Sequence, residues 1–270
     1  MKPVNAASRP GFPLRLQPGS DKPFAIKTVA AHSRITSATG QNRAKSAAVG
    51  QVSTGLGLDS LAIRARMVQK LAAQGVTDIQ VLAAMGHVER HRFVDSALVT
   101  QAYEDTSLPI GLGQTISKPN VVARMLELLM CGSPGKLGRV LEIGTGCGYQ
   151  AAVLARLATE VYSIERLRGL HDKARENLRP FRLPNLHLLF GDGMIGYAKG
   201  APYAAIIAAA GGEALPQAWI DQLAPGGRLV APLQAANGSQ ALVVVDKTVQ
   251  GVKHTLLEAV HFVPLKSGTS

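Results

Sequence analysis

The chain has 270 residues, 46% of them apolar and 17% charged, with 28 Gly, 15 Pro and a formal charge of +11. No run of about 18 uncharged apolar residues is present to span a bilayer, and no secretory apolar stretch follows the basic start, so no membrane association is expected. Cys131 and Cys147 are too few for a disulfide framework or a dedicated zinc site and suit a reducing compartment, which points to the cytoplasm.

The charge is unevenly spread. Residues 1–58 carry eight basic groups against Asp21 alone, a formal +7 of the +11. This stretch mixes Pro, Gly, Ser, Thr, Asn and Gln with no persistent apolar period, so it buries too little surface to offset its ordering entropy and is expected to be disordered. A solvated extension, a weak tether to an anionic surface or nucleic acid, and an organelle-type leader all fit its composition, the first of them best. Because the excess charge belongs to the tail, nucleic acid is not an expected partner of the remainder, and a monomer is expected.

From Asp59 the pattern becomes periodic. Asp59 can cap a helix running through Leu61, Ile63, Met67, Val68 and Leu71 to Gly75, and Thr77 a shorter one ending near Gly86. An irregular stretch follows, and Pro119 then sits where a helix should begin, ahead of Val121, Val122, Met125, Leu126, Leu128 and Leu129. Next come an apolar strand at 140–143, a helix at 150–158, a strand at 161–164 and a helix at 169–178. Further strands are expected at 186–190, 205–209 and 229–232, with a helix at 215–223 before the last. Residues 240–246 and 255–263 read as closing antiparallel strands. Short apolar strands alternating with helices imply an α/β fold, a doubly wound and mostly parallel sheet covered on both faces. The expected organisation is a tail (1–58), a helical substrate-side subregion (59–135), and a cofactor-binding sheet with the C-terminal strands (136–270).

The richest stretch is Val140-Leu141-Glu142-Ile143-Gly144-Thr145-Gly146-Cys147-Gly148-Tyr149-Gln150, a strand running through alternate glycines into a helix. Glycines let a ligand lie against the backbone, and helix-start amides favour an anionic group. Glu165 follows 21 residues beyond Gly144, at the end of the next strand, where a carboxylate can accept both hydroxyls of a ribose. Asp192, between Gly191 and Gly193, ends a third strand and could accept from an exocyclic amine. Together the three strand ends describe an adenosine site. The dinucleotide pattern G-x-G-x-x-G would place its last glycine on Tyr149, which disfavours a dinucleotide oxidoreductase.

The G-x-G-x-G spacing after the acidic Glu142 resembles the first motif of the Rossmann-like methyltransferases that bind S-adenosylmethionine. That resemblance assigns cofactor contacts to Glu142, Gly144, Thr145, Gly146, Gly148, Tyr149, Glu165, Arg166, Asp192 and Gly193.

The segment Leu108-Pro109-Ile110-Gly111 through Gly113-Gln114-Thr115-Ile116-Ser117 narrows the substrate. From the residues alone, Ser117 could either receive a carboxylate or simply cap the helix that Pro119 opens. The same segment closely resembles the distinguishing stretch of the protein-L-isoaspartate O-methyltransferases, as do Leu141 to Gln150, Gly191-Asp192-Gly193, Pro225-Gly226-Gly227 and Val260 to Leu265. The likeness covers residues 60–265. It implies methyl transfer from S-adenosylmethionine to the free α-carboxyl of L-isoaspartyl residues in damaged proteins and peptides. The resulting ester collapses to a succinimide whose hydrolysis partly restores a normal linkage. It also implies that Ser117 is the active-site residue and that Thr115, Ile116, Val263 and Pro264 line the peptide groove.

Two departures from the family pattern stand out. Ala204 and Ala209 occupy places where Asp and a Thr or Gly are usual, followed by Gly211-Gly212 in place of Ala-Pro, and Cys147 replaces Ser. If an Asp at 204 supported the cofactor loop, Ala204 would weaken the site. A methyltransferase acting on RNA or a small acid, and an idle S-adenosylmethionine-binding protein, are the competing readings. His87 and His91 have i, i+4 spacing without an evident third ligand, so packing or surface roles are expected and no metal is.

Overall fold

The computed structural model describes residues 61–235 and 238–270. The expected disorder of residues 1–58 and the expected cap at Asp59 lie outside the described residues. Helix α1 (Leu61–Ala73) turns Met67 and Leu71 inward at helical spacing and leads into α2 (Ile79–His87). Asp78 caps α2, its carboxylate accepting the amides of Gln80 and Val81 at 2.8 and 3.0 Å. Thr77, the expected cap, instead gives its amide and hydroxyl to Glu127 at 2.6 and 2.9 Å. Asp78 stands at the position from which a side chain reaches the amides two and three residues on, whereas the buried Glu127 requires the Thr77 donors.

After two single-turn 3₁₀ segments (Arg90–Phe93 and Ser96–Gln101), the chain forms a hairpin of β1 (Leu108–Gly111) and β2 (Gln114–Ile116). The sequence pattern places this hairpin within an irregular stretch. Helix α3 (Pro119–Met130) begins at its proline and buries Val122, Met125, Leu126 and Leu129, the i, i+3, i+4, i+7 stripe.

The sheet then builds from β3 (Leu137–Ile143), α4 (Tyr149–Leu157), β4 (Ala158–Glu165), α5 (Arg168–Leu178), β5 (Leu186–Phe190) and β6 (Tyr203–Ala208). It closes with α6 (Gln217–Gln222), β7 (Leu223–Gln234), β8 (Gln240–Thr248) and β9 (Gly251–Val260). The strand order is β5-β4-β3-β6-β7-β8-β9, parallel from β5 to β7 and antiparallel thereafter. Strand β7 begins six residues earlier than the apolar run suggests, and β9 is shifted toward the N-terminus of its expected span, ending at Val260.

Side chains on the central strands alternate between two buried layers. Val140, Ile207, Val230 and Val244 pack with α1–α4 on one face, and Leu141, Ile143, Ile206, Leu229 and Val245 pack with Trp219 of α6 on the other. This two-sided burial is why the strands read as continuous apolar runs. Strand order reverses at β3, whose neighbours β4 and β6 lead away in opposite directions, and the crevice above that reversal is where open α/β sheets bind ligands.

Candidate active site

The glycine loop sits at the carboxyl end of β3, on that switch point. Gly146 (φ 57°) and Gly148 (φ 93°) adopt left-handed backbone that side chains disfavour. At Gly148 a Cβ would also come within 2.7 Å of Leu178 Cδ1, so both conformation and space require glycine there. Glu165, at the tip of β4, is almost fully buried and spans the gap: Oε2 accepts the Gly146 amide at 2.9 Å and Oε1 the Leu167 amide at 2.9 Å. Each oxygen retains a further lone pair.

A chain of hydroxyls lies under the loop. Thr145 Oγ1 meets Ser163 Oγ at 2.6 Å, and Ser163 Oγ donates to Glu142 Oε2 at 2.5 Å. Glu142 has no exposed surface, and burial pushes its pKa up to about 8, with the Ser163 and Gln150 side chains pulling the other way. A carboxyl there is mostly protonated at neutral pH, which is how an acid persists in an apolar layer. Gln150 lies close enough to favour the charged form, yet among the described residues neither its Nε2 nor Glu142 Oε1 has a formed hydrogen bond. Glu142 therefore underpins the loop from within the protein. Ser163, a polar residue inside an apolar strand, was the signal for this network that the sequence reading passed over.

Asp192 turns its carboxylate to two amides, Met194 at 2.8 Å and Gly268 at 2.7 Å. Arg166 Nε donates to the Gly268 carbonyl at 2.9 Å, and Ser270 exchanges backbone bonds with Arg166 and Arg168, so the C-terminal residues border the outer end of the site. Gly193 allows close packing, since a Cβ would fall 2.5 Å from Ile143 Cγ2, and its carbonyl accepts the Trp219 indole at 2.8 Å. Tyr149 puts its ring against Phe93, and its hydroxyl donates to Met85 Sδ at 3.6 Å. It is core packing at the first turn of α4.

The β1–β2 hairpin lies across the loop: Ile110 Cδ1 is 3.3 Å from where a Gly146 Cβ would stand, and Lys173 of α5 donates to the Ile110 carbonyl at 2.9 Å. Ser117 follows β2, half-buried, and its hydroxyl makes no hydrogen bond to any described residue. Lys118, not Ser117, occupies the cap position of α3, and the first-turn amide of Asn120 is taken by the Asp105 carboxylate at 2.9 Å. The capping alternative for Ser117 is therefore not what the structure uses.

Ser117, Thr115 and Ala209 line two cavities at once. One, of about 40 Å³, runs between Ile116 and the loop at Gly144, Thr145 and Gly146. The other, of about 510 Å³, opens outward between α3 and the chain after β9, and Val263, Phe262 and His261 form its far wall. Pro264 is exposed and lies outside that lining, although its backbone bridges to Gly211. The outer cavity also takes Asn120, Arg124 and Glu258, which the sequence reading missed. Arg124 Nε pairs with Glu258 Oε1 at 2.8 Å, and this pair is visible only once β9 is folded against α3.

The departures settle locally. Ala204 packs on Gly138 at the amino end of the sheet, six residues and about 20 Å along β3 from Gly144, so a side chain there does not support the loop in this chain. Ala209 gives its amide to the Ile143 carbonyl at 2.8 Å and presents a methyl group to the junction of the cavities. Gly211 fits against Gln240, whose side chain holds the backbone of Phe262, fixing the groove wall. His91 Nδ1 lies 2.7 Å from the Tyr103 hydroxyl, and His87 is exposed at the end of α2.

The chain resembles known proteins over most of its length. Residues 62–270 match the family model described as protein-L-isoaspartate(D-aspartate) O-methyltransferase. The chain is 65% identical over 223 residues to the protein-L-isoaspartate O-methyltransferase of Methylibium petroleiphilum, covering 82% of this chain and 83% of that one. It is 65% identical over 220 residues to that of Leptothrix cholodnii, covering 80% and 77%. A solved protein-L-isoaspartate O-methyltransferase superposes with a TM-score of 0.69 at 27% identity, covering 76% of this chain and 66% of the other. A Plasmodium falciparum structure, described as a beta-aspartate methyltransferase in complex with S-adenosyl-L-homocysteine, has the same fold, with a TM-score of 0.63 at 24% identity over 74% of this chain and 97% of that one. With a family model spanning most of its length and relatives this similar, the chain belongs to the protein-L-isoaspartate O-methyltransferase family.

Proposed function

We propose that the chain is a protein repair methyltransferase that moves a methyl group from S-adenosylmethionine to the free α-carboxyl of L-isoaspartyl residues in proteins and peptides. The observation that carries this reading beyond family membership is the place of Ser117. Its unbonded hydroxyl stands where the outer groove meets the crevice over the glycine loop.

The residues present suit an adenosyl ligand. The loop exposes backbone that Cβ atoms would fill, and Glu165 and Asp192 stand at successive strand ends with lone pairs to spare. Glu165 would hold the ribose, Asp192 the adenine edge, and the backbone of Gly144 to Gly148 the methionine portion. Glu142 and Thr145 would keep the loop in shape from beneath, with Gly193 and Arg166 bordering the adenine end. The inner crevice of about 40 Å³ lies on the acceptor side of the loop, between Ser117 and Gly146, where the methyl group would pass.

When bound, S-adenosylmethionine supplies the methyl as an electrophilic carbon on a sulfonium, which takes an electron pair from the acceptor oxygen as its carbon–sulfur bond breaks. An acceptor carboxyl with a reference pKa near 4 is already ionised at neutral pH, so the protein needs no general base. Ser117 donates a hydrogen bond that turns one carboxylate oxygen inward, Thr115 and Ile116 form the near wall, and Phe262 and Val263 exclude water on the far side. The protein's contribution is orientation and partial desolvation of opposite charges, for which effective molarity supplies about 7 to 11 kcal/mol in favourable cases.

In this reading the helical subregion to residue 135 and the chain after β9 form the acceptor groove, and the carboxyl ends of β3 to β5 hold the donor. No described helix is long and apolar enough to cross a membrane. Two cysteines that form no disulfide support a reducing, cytoplasmic location. One chain supplies both walls of the site, so a monomer suffices. Tandem mass spectrometry of an isoaspartyl peptide after incubation with enzyme and cofactor tests the proposal: a base-labile ester on the isoaspartyl α-carboxyl is expected, and a methyl group on nitrogen or at another residue would refute it.

A further inference from the structure

We propose that Arg90 is a positioning residue for the methyl transfer, one guanidinium that fixes the Ser117 segment against the helix emerging from the glycine loop. Arg90 lies in the 3₁₀ turn after α2 and has no exposed surface. Its Nε donates to the Ala102 carbonyl at 2.8 Å, its Nη2 donates to the Ser117 carbonyl at 2.7 Å, and its central carbon stands 4.7 Å over the Tyr149 ring. Tyr149 is the residue directly after Gly148, and its ring is itself held by Phe93 and Met85. The same planar group therefore touches the acceptor-side backbone and the first residue of the cofactor-side helix.

Packing alone does not account for an arginine here. Among the described residues no carboxylate hydrogen-bonds the cation, its Nη1 has no hydrogen-bond partner, and Asp105 favours the charge only from a distance. A neutral side chain of similar size would fill the space without the cost of burying a charge that no carboxylate pairs. Only a rigid fork bonds two carbonyls at a set angle while lying flat on a ring. The Ser117 carbonyl belongs to the residue that carries the unbonded hydroxyl, so releasing it frees Oγ to turn away from the acceptor. Arg90 acts through Ser117, and the inference rests on the role given to Ser117 above.

A double-mutant cycle on the full chain separates the two, with Arg90→Met, Arg90→Lys, Ser117→Ala and the combined variants assayed for kcat and KM on an isoaspartyl peptide and for S-adenosylhomocysteine affinity. Arg90→Met is expected to lower kcat/KM about 10- to 100-fold in the presence of Ser117, but less than about 3-fold in the Ser117→Ala background. Affinity for S-adenosylhomocysteine should stay within about 3-fold of wild type. Arg90→Lys should resemble Arg90→Met, because a single ammonium cannot hold both carbonyls in the fork geometry. Equal losses in both backgrounds, or full activity of the Arg90 variants, would overturn the inference. If Arg90→Met does not fold, Arg90→Lys carries the cycle under the same criteria. A Ser117→Ala enzyme with wild-type rates would instead remove the reading of Ser117 itself, and the inference with it.

Discussion

Glu165 accepts the Gly146 amide at 2.9 Å, tying the tip of β4 to the middle of the glycine loop. In the proposed function the same carboxylate also receives the ribose, which would make it both a shaper of the loop and a ligand contact. Glu165→Gln keeps the volume but loses the charge-assisted bonds, and is expected to weaken S-adenosylhomocysteine binding about 10- to 100-fold while kcat at saturating cofactor falls far less. Isothermal calorimetry checks this, and unchanged affinity would show that Glu165 is only a strut.

Ser117 presents a hydroxyl with no partner among the described residues. A hydrogen bond to a charged group contributes about 1.5 to 3 kcal/mol, so Ser117→Ala should cost about 10- to 100-fold in kcat/KM toward an isoaspartyl peptide. Cofactor affinity should not move. A comparable loss of cofactor binding would mean that the residue supports the donor side.

Burial raises the folded-state pKa of Glu142 from 4.5 to about 8. Between those values the folded chain keeps a proton that the unfolded chain has released. Stability therefore falls as pH rises through that window and levels off above it, by roughly 5 kcal/mol at most from this group. Glu142→Gln should lack the decline. Urea unfolding of both proteins from about pH 5 to about pH 8.5 measures the difference, which should shift in favour of the variant with increasing pH. Parallel curves would place a charged carboxylate at position 142.

Much of this was legible in the residues, and the reasons differ by element. The parallel strands announced themselves because burial on both faces forces continuous apolar runs such as Val140 to Ile143. The glycines and Glu165 were readable because a ligand against the backbone leaves a local imprint in composition. The β1–β2 hairpin was not, since it is short, carries little alternation and is secured from outside by Lys173. Position 204 raised a concern that its neighbour resolves: the residue was legible as the start of its strand, but only packing on Gly138 shows how far that start lies from the glycine loop. Arg90, Arg124 and Glu258 escaped notice because their significance rests on partners 27 and 134 residues away.

The account's central claim is that a groove at Ser117 presents an isoaspartyl α-carboxyl to a methyl donor over the glycine loop. The most direct measurement is the initial rate of labelled methyl transfer from S-adenosylmethionine to two peptides identical except for an isoaspartyl or an aspartyl linkage at one position. The isoaspartyl peptide alone should be methylated at an appreciable rate. Equal rates for the two isomers, or none for either from an enzyme that binds the cofactor, would contradict the account.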